Sequence, residues 1–313
     1  MRRLQQQNGM ALLLVLTVIA LLTSLLSEFA FSTLVDLRLT ETFRDRTGAY
    51  YLARGGVEAG RIMLREDRNN YDHPQELWGQ GVQNYPVGEG TVSIEIEDLS
   101  GRFNLNSIAD NRGNPLPGYH RFVALCQEVL GLSVAEADAL AVSLRDWQNA
   151  DPQFVSADDS YYQQQQPPYA RKAGALDAVA ELNLIRGFDA ETVDQLSPYL
   201  RVFGPELLNI NTAAAELLYA WQSSAAAGNV QLILDRETIR AIVEYRAQQP
   251  FEKIGDLDRV DGYDPNWLSA WQNAAVKGTV FRVRGEGQVN QGIRAAEAII
   301  EKQGNRLLSL RVD

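Results

Sequence analysis

The chain has 313 residues, enough for one large domain or two smaller ones. With 29 Lys plus Arg against 40 Asp plus Glu, its formal net charge is −11, which argues against a broad phosphate-gripping contact with duplex DNA. A lone cysteine, Cys126, excludes an intramolecular disulfide, and two histidines, His73 and His120, exclude a multi-histidine metal centre.

Residues 1–9 read MRRLQQQNG, with Arg2 and Arg3 the only charges. Met10 to Ser27 then carries no charge, and its only polar groups are hydroxyls. About 18 residues at 1.5 Å rise span about 27 Å, close to the hydrocarbon thickness of a bilayer. This segment reads as a membrane-spanning helix. The arginines before it, with Glu28 and Asp36 after it, place the N-terminus in the cytoplasm and the bulk outside. A secretory signal peptide is the rival reading, but its apolar core is shorter and ends in small residues of the A-x-A kind, whereas SEFAFS follows here. The polar-to-apolar junction falls instead at Gly9–Met10. Leu34, Leu37, Phe43, Tyr50, Leu52, Val57, Ile62 and Leu64 recur at helical spacing, so one helix is expected to about Arg68.

His73 to Gly90, punctuated by Pro and Gly, reads as loop. Thr91 to Asp98 alternates as a strand, with Val92, Ile94 and Ile96 on one face. A long helix-and-loop block follows. Ser133 and Glu136 form a capping box before a helix to about Trp147. Asp189, Asn211 and Asp235 stand as N-caps, and Asp264-Pro265 opens a short helix through Trp271. Gly278 to Asp313 reads as three strands. Within them, Gly285 and Gly287 read as a bulge or bend, since no helix follows to make a phosphate loop. The order predicts an α+β fold: a long N-terminal transmembrane helix, a small antiparallel sheet and a large inserted all-α domain.

A short basic leader ending in Gly before an apolar helix resembles the N-terminus of type IV prepilins and type II secretion pseudopilins. The resemblance implies cleavage between Gly9 and Met10 by a prepilin peptidase and N-methylation of Met10. Fibre subunits of that family carry Glu at the fifth mature position, where it is thought to meet the amino terminus of a neighbouring subunit. Here that position is Leu14, as in the K-type minor pseudopilins that cap the fibre. The elements SGRFNLN (Ser100–Asn106), LRDWQNAD (Leu144–Asp151), SADDSYY (Ser156–Tyr162) and LNINTAAAELLYAW (Leu208–Trp221) also resemble, in order, those of the general secretion pathway protein K family. That resemblance implies a leader at 1–9, a helix at 10–67, a pilin-like α+β domain from 68–102 and 276–313, and an α-helical domain at 103–275. It implies a single-pass inner-membrane protein with its bulk in the periplasm, at the tip of a pseudopilus that supports export of folded proteins across the outer membrane. The implied partners are I-type and J-type minor pseudopilins, the prepilin peptidase and the inner-membrane secretion platform.

Asp146, Asp151, Asp158 and Asp159 fall within one irregular stretch, and Asn149 adds an amide oxygen. Hard oxygens on a loop suit Ca²⁺, although no EF-hand register is present; a solvated acidic loop is the alternative reading. The resemblance implies calcium at such a turn. The stretch departs from the family pattern at Asn149, where aspartate is common, and at Pro152. Asn209 to Leu257 resembles a helix-hairpin-helix module, which raises the alternative of a membrane-tethered DNA-uptake or type IV pilus component. Its tip has only Gly228, however, and Asn209–Lys277 holds 6 basic and 9 acidic side chains, so no nucleic acid is expected. No G-x-S-x-G, P-loop or H-E-x-x-H motif is present, and Cys126 sits on the apolar side of a helix, so the chain is not expected to be an enzyme.

Overall fold

The computed structural model describes residues 3–222, 224–226, 229–231 and 234–313. Helix α1 (Arg3–Glu66) is 64 residues long. Residues 9–40 are exposed without exception. Two hydroxyls in the apolar part are satisfied inside the helix: Thr17 Oγ1 donates to the Leu13 carbonyl at 2.9 Å and Thr23 Oγ1 to that of Ile19 at 2.8 Å. A lipid-facing helix has no water to do this. Burial begins at Asp45 and continues through Ala49, Ala53, Val57 and Leu64, which lie along one face.

That face rests on a five-stranded antiparallel sheet. After the short helix α2 (Leu77–Gln80) come β1 (Val82–Val87), β2 (Gly90–Asp98) and, after the helical unit described below, the three C-terminal strands. The helical unit holds β3 (Phe103–Asn104), α3 (Pro117–Leu130), α4 (Val134–Gln148), α5 (Asp159–Gln163), α6 (Ala190–Leu196), β4 (Leu200–Arg201), β5 (Leu208–Asn209), α7 (Ala215–Trp221), β6 (Ser224–Ala226), β7 (Asn229–Gln231), α8 (Arg236–Gln248) and β8 (Ala274–Ala275), with 3₁₀ turns between. Then β9 (Val280–Val289), β10 (Gly292–Glu301) and β11 (Arg306–Val312) complete the sheet in the order β1-β2-β9-β10-β11. So β2 pairs with a strand nearly two hundred positions away, Ile94 opposite Gly285 and Ile96 opposite Val283.

The sheet's buried face alternates as strand geometry requires. Val92, Ile94, Ile96, Phe281, Val283, Ala296, Ala298 and Ile300 meet Ala53, Val57 and Leu64 in one core. A second core, running in sequence from Phe103 to Val276, is built around Phe103, Phe122, Leu125, Leu144, Trp147, Tyr162, Leu217, Trp221 and Phe251. Local chemistry sets its helices. The Ser133–Glu136 capping box opens α4, and Gly131, in the left-handed region at φ 68°, closes α3. Asp189 and Asp235 accept from the backbone N–H of Thr192 and Thr238 at 2.8 Å, starting α6 and α8. Arg121, buried beneath Trp221 with its guanidinium carbon 4.1 Å from the ring centroid, donates to the Trp221 and Gln272 carbonyls.

Three sequence expectations are corrected. The stretch expected as loop contains α2 and β1; β1 is an edge strand with nearly all its side chains exposed, so it lacks the apolar alternation that marks a strand. Asn211 does not cap α7, whose N-cap is Ala214. Its side chain instead clasps Phe251, accepting from the Phe251 N–H at 3.0 Å and donating to its carbonyl at 2.9 Å. Gly285 and Gly287 form no bulge: β9 pairs with β10 without a register shift. They are glycines because α1 lies against them. A Cβ on Gly285 would sit 2.9 Å from the Val57 nitrogen, and one on Gly287 2.7 Å from the Ala53 nitrogen, with carbonyl oxygens of α1 closer still. Gly56 and Gly60 answer from the helix side, against Val92 and Val283.

Gly287→Val should therefore push α1 off the sheet and destabilise the chain by about 1–3 kcal/mol or more, the usual cost of overpacking. Gly255, with open space at its Cβ, serves as a control: Gly255→Ala should leave the melting temperature of the detergent-solubilised chain unchanged, while Gly287→Val lowers it by several degrees.

Candidate functional site

Among the described residues, one uncovered helix, one buried polar joint and one acidic turn stand out. The uncovered helix is the outer half of α1. Leu14 is 64% exposed. Gly9 lies inside α1, and nothing stands within 4 Å of where its Cβ would be. A glycine in a helix interior costs about 1 kcal/mol against alanine. Among the described residues, nothing packs against it.

The polar joint ties the sheet to the helical unit. Asp98, at the end of β2, is buried and accepts from the Ser100 N–H at 2.8 Å, Asn209 Nδ2 at 2.7 Å and Thr212 Oγ1 at 2.8 Å. Asn209 Nδ2 also donates to the Asp72 carbonyl at 3.0 Å. The Asp72 carboxylate accepts from the Gly278 N–H at 2.8 Å and from Lys302, whose ammonium also reaches Asp67 at 2.6 Å. Burial raises the Asp98 carboxyl above its ordinary range, against the three donors that hold it. Burial also pushes Asp72 up to about 7, the lysine notwithstanding. Asp67, Asp72 and Glu76 form the one group of three potential metal-ligating side chains whose ligand atoms lie within 4.8 Å of one another among the described residues. The Lys302 ammonium already serves Asp67 and Asp72.

The acidic turn follows α4. Asp146, Asp158 and Asp159 converge on Ser156: its Oγ donates to Asp146 Oδ2 at 3.0 Å and accepts from the Asp158 N–H at 3.1 Å, while its N–H donates to Asp159 Oδ2 at 3.0 Å. Asp151 stands apart, accepting from the Gln153 N–H at 2.9 Å. Three of the four carboxylates face an arginine: Asp146 with Arg145 at 3.0 Å, Asp158 with Arg186 at 2.7 Å and Asp159 with Arg171 at 3.4 Å. Asn149 is buried; its Oδ1 accepts from the Asp151 N–H, and its carbonyl accepts from Arg171. The oxygens suited to Ca²⁺ are present, and as arranged they accept from guanidinium groups, from the Ser143 and Ser156 hydroxyls and from backbone N–H groups. Sequence reasoning missed these arginines; Arg145 is adjacent to Asp146, and Arg171 and Arg186 follow closely enough to have been noticed.

Other candidates recede. The Cys126 thiol is buried, and burial raises its pKa, so it is no thiolate nucleophile. Burial lowers the pKa of His73, whose Nδ1 accepts from the Gln75 N–H at 3.2 Å. In the segment resembling a helix-hairpin-helix, α7 and α8 are joined through the antiparallel pair β6–β7. Gly228 lies outside the described residues.

Residues 101–205 match the family described as type II secretion system (T2SS), protein K. Type II secretion system protein K of Klebsiella pneumoniae is 30% identical over 214 residues, covering 66% of each chain. That of Pseudomonas aeruginosa is 27% identical over 81% of this chain and 76% of the relative. That of Pectobacterium carotovorum subsp. carotovorum is 25% identical over 96% of this chain and 94% of the relative. A chain in the crystal structure of the GspK-GspI-GspJ complex from the enterotoxigenic Escherichia coli type 2 secretion system shares the fold, with a TM-score of 0.66, 18% identity and coverage of 90% of this chain and 99% of that one.

Between its ordinary value and about 7, Asp72 holds a proton in the folded chain that it loses in the unfolded one. Its contribution to stability is therefore full below about pH 4 and lost as pH rises through about 7. Asp72→Asn should flatten this part of the profile: the drop in urea midpoint from pH 5 to pH 8 should be smaller than in the unaltered chain, and an equal drop would contradict the assignment. Matches that agree on a single description, one of them nearly end to end, place the chain in the type II secretion system protein K family.

Proposed function

We propose that this chain, a minor pseudopilin of a type II secretion system, sits at the tip of the pseudopilus, with α1 in the inner membrane, its N-terminus cytoplasmic and its bulk periplasmic. Its work is assembly rather than catalysis. The observation that carries this reading is the uncovered outer half of α1, apolar over a bilayer's thickness and bearing Leu14 in place of a carboxylate. A fibre subunit with another above it needs an acid there to meet that neighbour's amino terminus. A subunit with none above it gains nothing from a carboxylate in lipid, which is costly unless paired.

I-type and J-type minor pseudopilins are the partners this reading supplies, since a structural neighbour of the fold was solved in a complex with GspI and GspJ. Affinity purification of the tagged full chain from detergent-solubilised membranes tests it. The I-type and J-type proteins of the same system should co-purify at comparable amounts, and the major pseudopilin should be substoichiometric. Equal recovery of the major pseudopilin would instead place the chain along the shaft. Salt-dependent retention of DNA would favour the DNA-uptake alternative.

Processing between Gly9 and Met10 belongs to the same reading. A Cβ at position 9 meets nothing within 4 Å, so the fold has room for a side chain such as valine there. Gly9→Val should thus leave folding intact and block only the peptidase. Intact-mass measurement should find the leader retained, and a species beginning at Met10 would count against cleavage at this bond.

A further inference from the structure

We propose that the cation holding the acidic turn is the guanidinium of Arg171, and that this chain takes no divalent ion there. The guanidinium lies at the centre of the turn, its side chain only 12% exposed. One Nη donates to the Asn149 carbonyl and reaches the Asp146 carbonyl at 3.5 Å. The other donates to the Phe154 carbonyl at 2.8 Å, and Nε stands 3.4 Å from Asp159 Oδ1. The Phe154 ring covers the group, with 4.9 Å from its centroid to the guanidinium carbon. These acceptors are three carbonyls and a carboxylate gathered from both sides of the turn. A hard metal ion would select the same kinds of oxygen. Arginine satisfies them with five N–H donors in one plane, without the six to eight ligands that calcium requires.

Two of the other carboxylates have both oxygens occupied. Asp146 Oδ1 accepts from Arg145 and Oδ2 from Ser156. Asp158 Oδ1 accepts from Arg186, and Oδ2 from Ser143 Oγ at 2.9 Å. Among the described residues, the loop aspartates form no group of three with oxygens within 4.8 Å of one another. The backbone carrying Arg171 is fixed on either side: the Tyr169 N–H donates to the Tyr162 carbonyl at 3.3 Å and the Ala173 N–H to that of Trp147 at 3.0 Å.

The test is metal content and melting of the full chain in detergent, read by tryptophan fluorescence. After dialysis against buffer with micromolar calcium, the unaltered chain should retain well under one Ca²⁺, and millimolar calcium or a chelator should move its melting temperature by less than about 1 °C. Arg171→Gln should melt about 4–8 °C lower, since it leaves buried carbonyls and a carboxylate without their donor. Part of that loss should be restored by calcium but not by sodium. One tightly held Ca²⁺ per unaltered chain, with a melting temperature that falls on chelation, overturns the proposal. So does an Arg171→Gln chain that melts like the unaltered one. If that variant does not fold, Arg171→Lys keeps the charge with fewer donors and should melt below the unaltered chain without any response to calcium. A calcium response in Arg171→Lys equal to that of a metal-dependent turn would overturn the proposal as well. The outcome does not bear on the place of the chain in the pseudopilus.

Discussion

The closeness of α1 to β9 is the constraint on which the rest of the architecture depends. The helix is 64 residues long, yet only its final third is supported by protein. Its backbone can approach the sheet closely because small residues face each other: Ala49, Ala53, Gly56 and Gly60 on the helix, Gly285 and Gly287 on the strand. Every ångström of approach brings Val57 and Leu64 deeper among Val92, Ile94, Val283 and Ile300. Packing at interior density turns that approach into many small dispersion contacts. A larger side chain at either glycine would separate the two surfaces and lose those contacts together.

A second joint follows from the first. The strands that hold α1 are β2 and β9, and the helical unit is inserted between them in sequence. The unit must therefore leave from Asp98 and return at Gly278, and both ends meet at one place: the Gly278 Cα lies so near the Asp98 carboxylate that a Cβ would stand 2.9 Å from Oδ2. Asp98 and Asn209 fill this junction with hydrogen bonds rather than apolar contact. Both are buried, so breaking one bond strands a polar group away from water, at about 1–3 kcal/mol each. A junction of this kind resists bending more than an exposed linker of equal length would.

What was legible in the sequence was periodic. The charge-free run from Met10 announced itself by composition, α1 by its spacing, β2 by its alternation, and α4, α6 and α8 by their caps. What was not legible was decided by partners far away in the chain. The strand β1 is polar and nearly all exposed, so no pattern betrayed it; pairing with β2 makes it a strand. Asn211 has the form of an N-cap but is taken by Phe251, 40 positions on. The Asp98–Asn209 contact spans 111 positions, and neither residue has a local signature. Gly285 and Gly287 were visible as glycines on one face of a strand. Their reason lay on a helix more than two hundred residues earlier. The acidic turn shows the same lesson in charge: four aspartates drew the eye toward a metal, while the arginines that answer them were scattered before and after.

These joints bear on how such a chain can serve in an assembly. From Met10 to Ser27 its outer helix carries no charge and is exposed on every side, so contacts with the described fold do not fix its position. From Asp45 onward the helix is part of the sheet, and from Asp98 the sheet is part of the helical unit through buried polar contacts. The sheet and the helical unit are thus tied by buried hydrogen bonds as well as by the two chain connections, so separating them would strand polar groups away from water.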